Sequence, residues 1–517
     1  MRGTLGRYGA AVGSGILLAL ARPPADFGLL ALIALVPLFV AWRDTSVRRH
    51  AALAFVAGCA YYVGLVSWTW YFGAVAIVPL VALLAAYWAA TGAVIGWFAS
   101  RGFRSPWLTA ALWILFEYVM ARAPLEGFSW GEVGYAFHDV GIARDLASVG
   151  GLPLLSFLAV AINALLADLV RRGPQAQLTR TDTLRALAGV VAVMVGAGVV
   201  LAVRPDITPT GELRVAILQG NDKNRDLTAA EKDARYLPTS HFELAAQVQD
   251  PVDLIIFPES SMDADPRIDP ELARQLAAVA REHDAWVLTN AVVDAPDGRA
   301  VNLNLLYGPD GELQDTYAKR HLVPYGEYVK FRDQLEWTGA PDEIPRDFMP
   351  GDRSGVFEIA GHEVATVICF ESAFGYEIRP LVADEGAETI VVSTNNRSYR
   401  RSANSAQHVA LGQIRAAETG RPVVHAAISG ISALIDSDGR VLARTELFER
   451  TVLQGAVITT TGETLYVRFG DWIILVALLG VAGCLGTAAW LRRRSRSVDS
   501  DTESEPVAAL APTGDRG

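Results

Sequence analysis

The sequence predicts a multi-pass membrane protein of the α+β class: eight transmembrane helices carrying one outer domain. Three observations predict it. The 517-residue chain is 51% hydrophobic with a mean hydropathy of +0.26, too apolar for an ordinary soluble enzyme and far too apolar for a disordered chain. Its apolar residues gather into eight long runs, most of them near the ~20 residues that cross ~30 Å of hydrocarbon. Between the seventh and eighth runs, residues 205–470 change character and alternate short β-rich stretches with helical patterns.

The runs lie near 8–22, 26–42, 51–73, 74–99, 106–121, 146–170, 186–203 and 471–491. The first could be read as a signal peptide, but Pro23-Pro24 and an immediate second apolar run favour a retained helical hairpin. Arginine distribution sets the orientation. With the N-terminus inside, the inner segments hold 15 arginines and the short outer loops hold 4, namely Arg22, Arg122, Arg144 and Arg204. Both termini are then cytoplasmic, and residues 205–470 face outward. Residues 1–204 form a membrane domain of seven spans, 471–491 the eighth, and 492–517 a cytoplasmic tail rich in Ser, Asp, Glu and Pro that is expected to be disordered. The net charge of −11 gives no sign of nucleic-acid binding.

In the outer segment, strands are expected at Leu213–Leu218, Asp253–Phe257, Ala285–Leu288, Val364–Cys369, Thr389–Ser393 and Pro422–Ala427. Helices are expected at Pro270–Glu282 and Ala403–Thr419, and hairpin turns at Pro309-Asp310-Gly311 and Asp438-Gly439. Three places in this segment stand out, each a reactive side chain at the end of a strand-like run: Glu259 after Asp253–Phe257, Lys319 in a Tyr-Ala-Lys-Arg-His run, and Cys369 after Val364–Ile368. Only 4 of the 45 basic residues are lysines, so a lysine in such a place stands out. Taken singly, each has a plain reading: a buried small hydrophobe, a solvated strand-end acid, a surface lysine. Together they form a covalent-catalysis set. A thiol of pKa ~8.5 is a poor match for a carboxylate base of pKa ~4.3; the gap of ~4 units corresponds to ~6 kcal/mol. Burial would raise the carboxyl pKa, a nearby ammonium would favour thiolate, and the same ammonium would stabilise an acyl oxyanion.

The Glu–Lys–Cys order, with Phe-Pro-Glu259 and Cys369-Phe-Glu contexts, resembles the nitrilase superfamily. The string Tyr-Ala-Lys-Arg-His-Leu-Val-Pro-Tyr-Gly-Glu-Tyr-Val at 317–329, joined to the eight-span frame, resembles the apolipoprotein N-acyltransferases more specifically. Leu-Gln-Gly-Asn at 218–221, Gly-Arg-Pro at 420–422, and Glu117, Arg122, Gly127-Phe128 and Trp130 agree with it. The resemblance implies a nitrilase-like αββα sandwich for the outer domain. It implies Glu259, Lys319 and Cys369 as catalytic triad, Glu327 as a supporting glutamate, and Phe370 and Glu371 as neighbours of the nucleophile. It further implies transfer of an acyl chain from a membrane phospholipid, through a Cys369 thioester, to the α-amino group of a diacylglyceryl-cysteine at a lipoprotein N-terminus. No cofactor, metal or partner chain is implied, and the enzyme is expected to be a monomer in the plasma membrane. Two departures stand out: Asn221–Leu237 lacks the tryptophan usual after the Gln-Gly-Asn motif, and Thr394–Tyr399 replaces the usual Asn-Asp-x-Trp-Phe.

Glu117, Arg122 and Trp130 are candidate contacts between the membrane and outer domains. Trp68, Trp70 and Tyr71, at the outer end of the third run, read best as an aromatic belt. His321, His408 and His425 lack metal-ligand spacing and are given structural roles. The 3 cysteines form no disulfide framework. The competing reading is a membrane-tethered amidase of the nitrilase type that uses water as acceptor. A transporter is disfavoured because the apolar runs carry few ionisable residues at mid-depth.

Overall fold

The computed structural model describes residues 2–172, 207–339 and 344–502. The seventh apolar run lies outside these residues. The membrane half contains α1 (Arg2–Leu20), α2 (Val36–Ala41), α3 (Val47–Leu65), α4 (Ala74–Ala99), α5 (Pro106–Met120) and α6 (Gly141–Arg172). By length and composition, α4 and the Gly141–Val170 part of α6 are each apolar enough to cross a bilayer. Gly28–Ala41, Pro106–Met120 and Trp472–Ala488 are shorter apolar helical stretches.

Two expectations about the runs change. The run 26–42 is not one helix but a 3-10 turn (Gly28–Leu32) followed by α2. The break is stable because Asn163 of α6 reaches into it: its Oδ1 accepts from the Leu35 N–H at 2.8 Å and its Nδ2 donates to the Ala31 carbonyl at 2.7 Å. Backbone groups freed from a helix in an apolar setting need such partners. Likewise α6 turns sharply at Gly151 (φ +65°). A side chain there would lie 2.6 Å from the Tyr466 ring, so glycine permits both the bend and the close approach.

Residues 208–461 form a sandwich domain of two six-stranded sheets packed face to face. In chain order the strands are β1 (Thr208–Gln219), β2 (Leu254–Ile256), β3 (Trp286–Asp294), β4 (Ala300–Tyr307), β5 (Leu313–Ala318), β6 (Val356–Ile359), β7 (His362–Ile368), β8 (Thr389–Thr394), β9 (Val423–Ala427), β10 (Ala433–Ile435), β11 (Val441–Arg444) and β12 (Thr451–Thr461). One sheet runs β12-β1-β2-β3-β4-β5 and the other β11-β10-β9-β8-β7-β6. Each has a parallel centre, β1-β2-β3 or β7-β8-β9, with antiparallel flanks. Both faces are covered, which is why these strands read as near-continuous apolar runs rather than alternating ones. Leu213, Val215 and Ile217 of β1 face Val364, Val391 and Val424 across the middle of the sandwich. The outer face of the first sheet packs on α7 (Tyr236–Ala245) and α8 (Pro270–His283), and that of the second on α9 (Gly375–Ala383) and α10 (Asn404–Thr419). The result is an αββα sandwich.

Local signals explain the elements. Asp269 caps α8 by accepting from the Glu271 and Leu272 N–H groups, Pro270 opens it, and Arg281 and His283 sit in its last turn. Pro309–Gly311 joins β4 to β5, and Asp438-Gly439 joins β10 to β11. After β12 the chain enters α11 (Trp472–Thr502), which runs past the expected end at Leu491 into the segment expected to lack structure. Residues 503–517 of that tail lie outside the described residues. One apolar core spans the two halves, since Phe370, Phe374, Leu411 and Ile414 of the sandwich domain join residues of α1–α6.

Candidate active site

Glu259, Lys319 and Cys369 come from different parts of the sandwich. Glu259 follows β2 and Lys319 follows β5 in one sheet; Cys369 follows β7 in the other. The structure brings them together. The Lys319 Nζ lies 2.8 Å from Glu327 Oε1 and 3.9 Å from Glu259 Oε1. Lys319 is 1% exposed and Glu259 6%, so these charges interact through protein rather than water.

Each carboxylate is held by several donors. Glu259 Oε1 accepts from Asn302 Nδ2 at 2.7 Å, and its Oε2 from the Asn395 N–H at 2.6 Å. Glu327 Oε2 accepts from the Val323 N–H at 2.7 Å. Asn302 is oriented in turn by Asn290, whose Nδ2 donates to Asn302 Oδ1 at 2.8 Å and to Asn304 Oδ1 at 2.9 Å. Glu371 holds no proton-transfer position. Its Oε1 accepts from Tyr317 Oη (2.8 Å), Arg320 N (2.7 Å) and His321 N (3.1 Å), and its Oε2 from Ile368 N (2.7 Å). It thereby ties the strand end bearing Lys319 to the strand end bearing Cys369.

Cys369 sits at φ +52°, in the left-handed region that non-glycine residues rarely adopt, and opens a 3-10 turn, Cys369–Ala373. Burial pushes the thiol up to about 12; the Glu259 carboxylate adds to this, and the Lys319 ammonium and Thr394 oppose it. Burial also raises Glu259, against the pull of Lys319. Burial disfavours charge on Lys319, but the carboxylates of Glu327 and Glu259 outweigh it and hold the ammonium charged. With both carboxylates and the ammonium ionised, the buried cluster carries one negative charge. Forming a thiolate alone would add another. Passing the proton from Cys369 to Glu259 leaves the total unchanged and gives Lys319 the thiolate as partner. Such an arrangement is chemically able to couple proton transfer to nucleophilic attack.

The site borders the membrane half. Phe370 packs against Phe128 (6.2 Å between ring centres) and Trp130 (6.3 Å), and Trp130 also contacts His408 at 5.4 Å. Arg122 pairs with Asp471 at 2.8 Å and lies over the rings of Tyr118 and Tyr376, the latter on α9. Trp130 and Arg122 thus both reach beyond the membrane half. Glu117 makes its hydrogen bonds inside that half, its Oε1 accepting from Trp113 Nε1 and the Val133 N–H, each at 3.0 Å, but it lines a cavity together with Tyr376 and Arg415 of the sandwich and with Tyr466.

Trp68 is also not a belt residue. It is 7% exposed, and its Nε1 donates to Gln407 Oε1 at 3.1 Å, while Trp70 and Tyr71 remain exposed. The loop that departs from the family pattern still presents an aromatic to this face: Tyr399 packs edge-on against Trp68 at 4.8 Å and Phe72 at 5.8 Å. Sequence reasoning missed Asn302, Asn395, Gln407 and the placement of His408. Among the described residues no His/Cys/Asp/Glu group forms a metal site.

Comparison with known proteins bears on both halves. The family model for the apolipoprotein N-acyltransferase N-terminal domain matches residues 14–165, and that for carbon-nitrogen hydrolase matches residues 214–464. The apolipoprotein N-acyltransferase of Geobacter metallireducens is 30% identical over 511 residues, covering 94% of this chain and 95% of its own. That of Methylococcus capsulatus is 30% identical, covering 96% of this chain and 98% of its own. That of Vibrio cholerae is 29% identical, covering 94% and 97%. The likeness to the Saccharomyces cerevisiae nitrilase-superfamily protein Nit3 is distant, with a TM-score of 0.37 and 15% identity over 48% of this chain and 91% of that one. The full-length relatives, matched through membrane half and sandwich alike, show that the chain belongs to the apolipoprotein N-acyltransferase family.

Proposed function

We propose that this protein is a phospholipid:apolipoprotein N-acyltransferase working by two half-reactions through Cys369. Glu259 takes the thiol proton, and sulfur attacks an acyl ester of a membrane phospholipid. The lysophospholipid leaves with a proton, and the acyl chain remains as a thioester. The free α-amino group of a diacylglyceryl-cysteine at a lipoprotein N-terminus then attacks the thioester; the C–N bond forms as the C–S bond breaks, and the amine proton passes through Glu259 to the departing Cys369 sulfur. Lys319 stands by the thiolate and by the oxyanion of each step, and Glu327 positions Lys319.

The observation that carries this reading is the convergence of Glu259, Lys319 and Cys369 beside an aromatic seam shared with the membrane half. A soluble acceptor would need no such seam. The apolar Phe128, Trp130 and Phe370 wall next to the thiol suits an acyl chain and keeps water from the thioester.

The same reading assigns eight spans: seven within residues 1–204, then the outward domain 205–470, the eighth span at 471–491 and the inner tail 492–517. Both termini are cytoplasmic, the enzyme sits in the plasma membrane, and one chain suffices for a site. The excess of arginine in the inner segments supports this orientation.

The test is the intact mass of purified protein incubated with phospholipid of defined acyl composition. The expected result is an adduct of one acyl chain, removed by hydroxylamine and missing in Cys369→Ala. Turnover of a small amide by folded protein that forms no adduct would favour the tethered amidase instead.

A further inference from the structure

Helix α10 carries two adjacent buried side chains that face different halves of the molecule. Gln407 faces the membrane half. Its Oε1 accepts from Trp68 Nε1 (3.1 Å) and Trp130 Nε1 (2.8 Å), and its Nε2 donates to the Pro23 and Leu65 carbonyls, both at 3.0 Å. His408 faces the nucleophile. Its Nε2 lies 3.1 Å from the carbonyl oxygen of Cys369 and 2.8 Å from Ser372 Oγ, which itself donates to that carbonyl at 2.9 Å.

A carbonyl oxygen only accepts, so the ring proton of His408 is on Nε2 and the lone pair is on Nδ1. The surroundings agree, since Asn396 Nδ2 lies 3.2 Å from Nδ1. Burial lowers the imidazole to about 4, so it stays neutral at ordinary pH. Trp130 and His425 (4.7 Å) wall the ring in.

The bonded carbonyl belongs to a strained residue. A peptide unit is planar and trans, so its C=O and the following N–H point in opposite directions. Fixing the Cys369 carbonyl on His408 and Ser372 therefore fixes the direction of the Phe370 N–H, away from α10. That N–H has no acceptor among the described residues.

We propose that His408 is a positioning residue for thioester formation: by holding the Cys369 carbonyl, it aims the free Phe370 N–H at the oxyanion formed when sulfur adds to the donor ester. The inference rests on Cys369 being the nucleophile. In the step, the thiol proton passes to Glu259, the C–S bond forms, and the carbonyl π pair moves onto oxygen. The oxyanion accepts from Phe370 N–H and faces Lys319. It collapses by expelling the lysophospholipid alkoxide, which takes the proton from Glu259. Because Gln407 precedes His408, the same turn of α10 that is seated on the membrane half also sets the peptide beside the nucleophile.

The test uses the full-length enzyme in detergent micelles with a phospholipid donor, comparing His408→Phe, His408→Gln and His408→Asn. The readouts are the single-turnover rate of acyl adduct formation, its dependence on donor concentration, and the rate of iodoacetamide alkylation of Cys369. Losing a correctly aimed oxyanion donor costs roughly 10²–10³ in rate. His408→Phe should therefore acylate roughly 100-fold more slowly at saturating donor, with half-saturation and alkylation changed no more than about twofold. The glutamine amide can stand where Nε2 stands and should recover to within about tenfold; the asparagine amide reaches only the place of Nδ1 and should not. Acylation by all three near the wild-type rate, or glutamine no faster than asparagine, would overturn the proposal. If His408→Phe does not accumulate, the order of glutamine and asparagine decides. A wild-type enzyme that forms no adduct would instead remove the nucleophile reading itself.

Discussion

Glu327→Gln separates the electrostatic work of the site from its geometric work, because the two respond with opposite signs. At an effective dielectric of ~20, the 2.8 Å contact of Lys319 with Glu327 corresponds to ~6 kcal/mol of gross attraction, and the 3.9 Å contact with Glu259 to ~4 kcal/mol. The second carboxylate still gives Lys319 a charged partner when the first is neutralised, against the burial that disfavours its charge. Glu327 is also among the charges that push up Cys369 and Glu259. Removing it must lower the thiol: the ammonium remains and a nearby negative charge is gone. Alkylation of Cys369 by iodoacetamide, followed from pH 6 to 10 in a background lacking Cys59 and Cys484, should therefore shift to lower pH. Acylation should move the other way. Glu327 accepts from Lys319 on one oxygen and from Val323 N–H on the other, whereas glutamine has a single acceptor oxygen. One buried donor is left facing an amide N–H, which costs about 1–3 kcal/mol and loosens Lys319. A rate loss of roughly 10- to 100-fold follows. An alkylation profile shifted to higher pH, or unchanged acylation, would refute this division of roles.

Three further outcomes follow from the same geometry. Lys319→Met removes the charge that opposes the upward push on Cys369, so alkylation at pH 8 should slow and no acyl adduct should form; an adduct at more than about a hundredth of the wild-type rate would contradict its place beside the oxyanion. Gln407→Leu leaves two indole N–H groups and two carbonyls without partners. At ~1 kcal/mol or more each, this should lower the midpoint of thermal unfolding and expose the 120–140 loop to protease, and an unaltered digest would count against the seam. A cysteine placed at Asp310, in the β4–β5 turn, should react with a membrane-impermeant maleimide on intact spheroplasts, while one at Arg101 should react only after lysis; the reverse pattern would invert the proposed topology.

Much of the sandwich domain was legible because its strands end in polar, titratable residues. Asp253–Phe257, Val364–Cys369 and Thr389–Ser393 are apolar runs cut off by polar residues, and β2, β7 and β8 occupy them. The edge strands β6 and β11 were given no range, since four residues of mixed polarity carry little periodic signal. The three reactive side chains could be picked from their types, but Asn302 and Asn395 could not. An amide within or just after a strand announces nothing until its partner across the sheet is known. Gln407 and His408 were hidden for another reason. Nearly every residue of α10 is buried, so no polar face distinguishes a structural side chain from one directed at Cys369. Trp68 misled because an aromatic at the end of an apolar run usually marks a membrane interface, whereas here a second domain covers it. The run 26–42 misled because hydropathy does not register Asn163, on a helix far along the chain, which makes a broken helix tolerable.

The first and last strands of the sandwich are hydrogen-bonded neighbours: Thr208 pairs with Thr461 and Gln219 with Thr451. The sheet that bears Glu259 and Lys319 therefore gains its outermost strand only when the final stretch of the domain returns to its beginning. Loop-closure entropy makes such a distant pairing slow compared with forming local helices. During synthesis, the Glu259 and Lys319 sheet stays incomplete until the ribosome has nearly reached the last helix. A chain interrupted before β12 would carry the thiol of Cys369 without that closing strand.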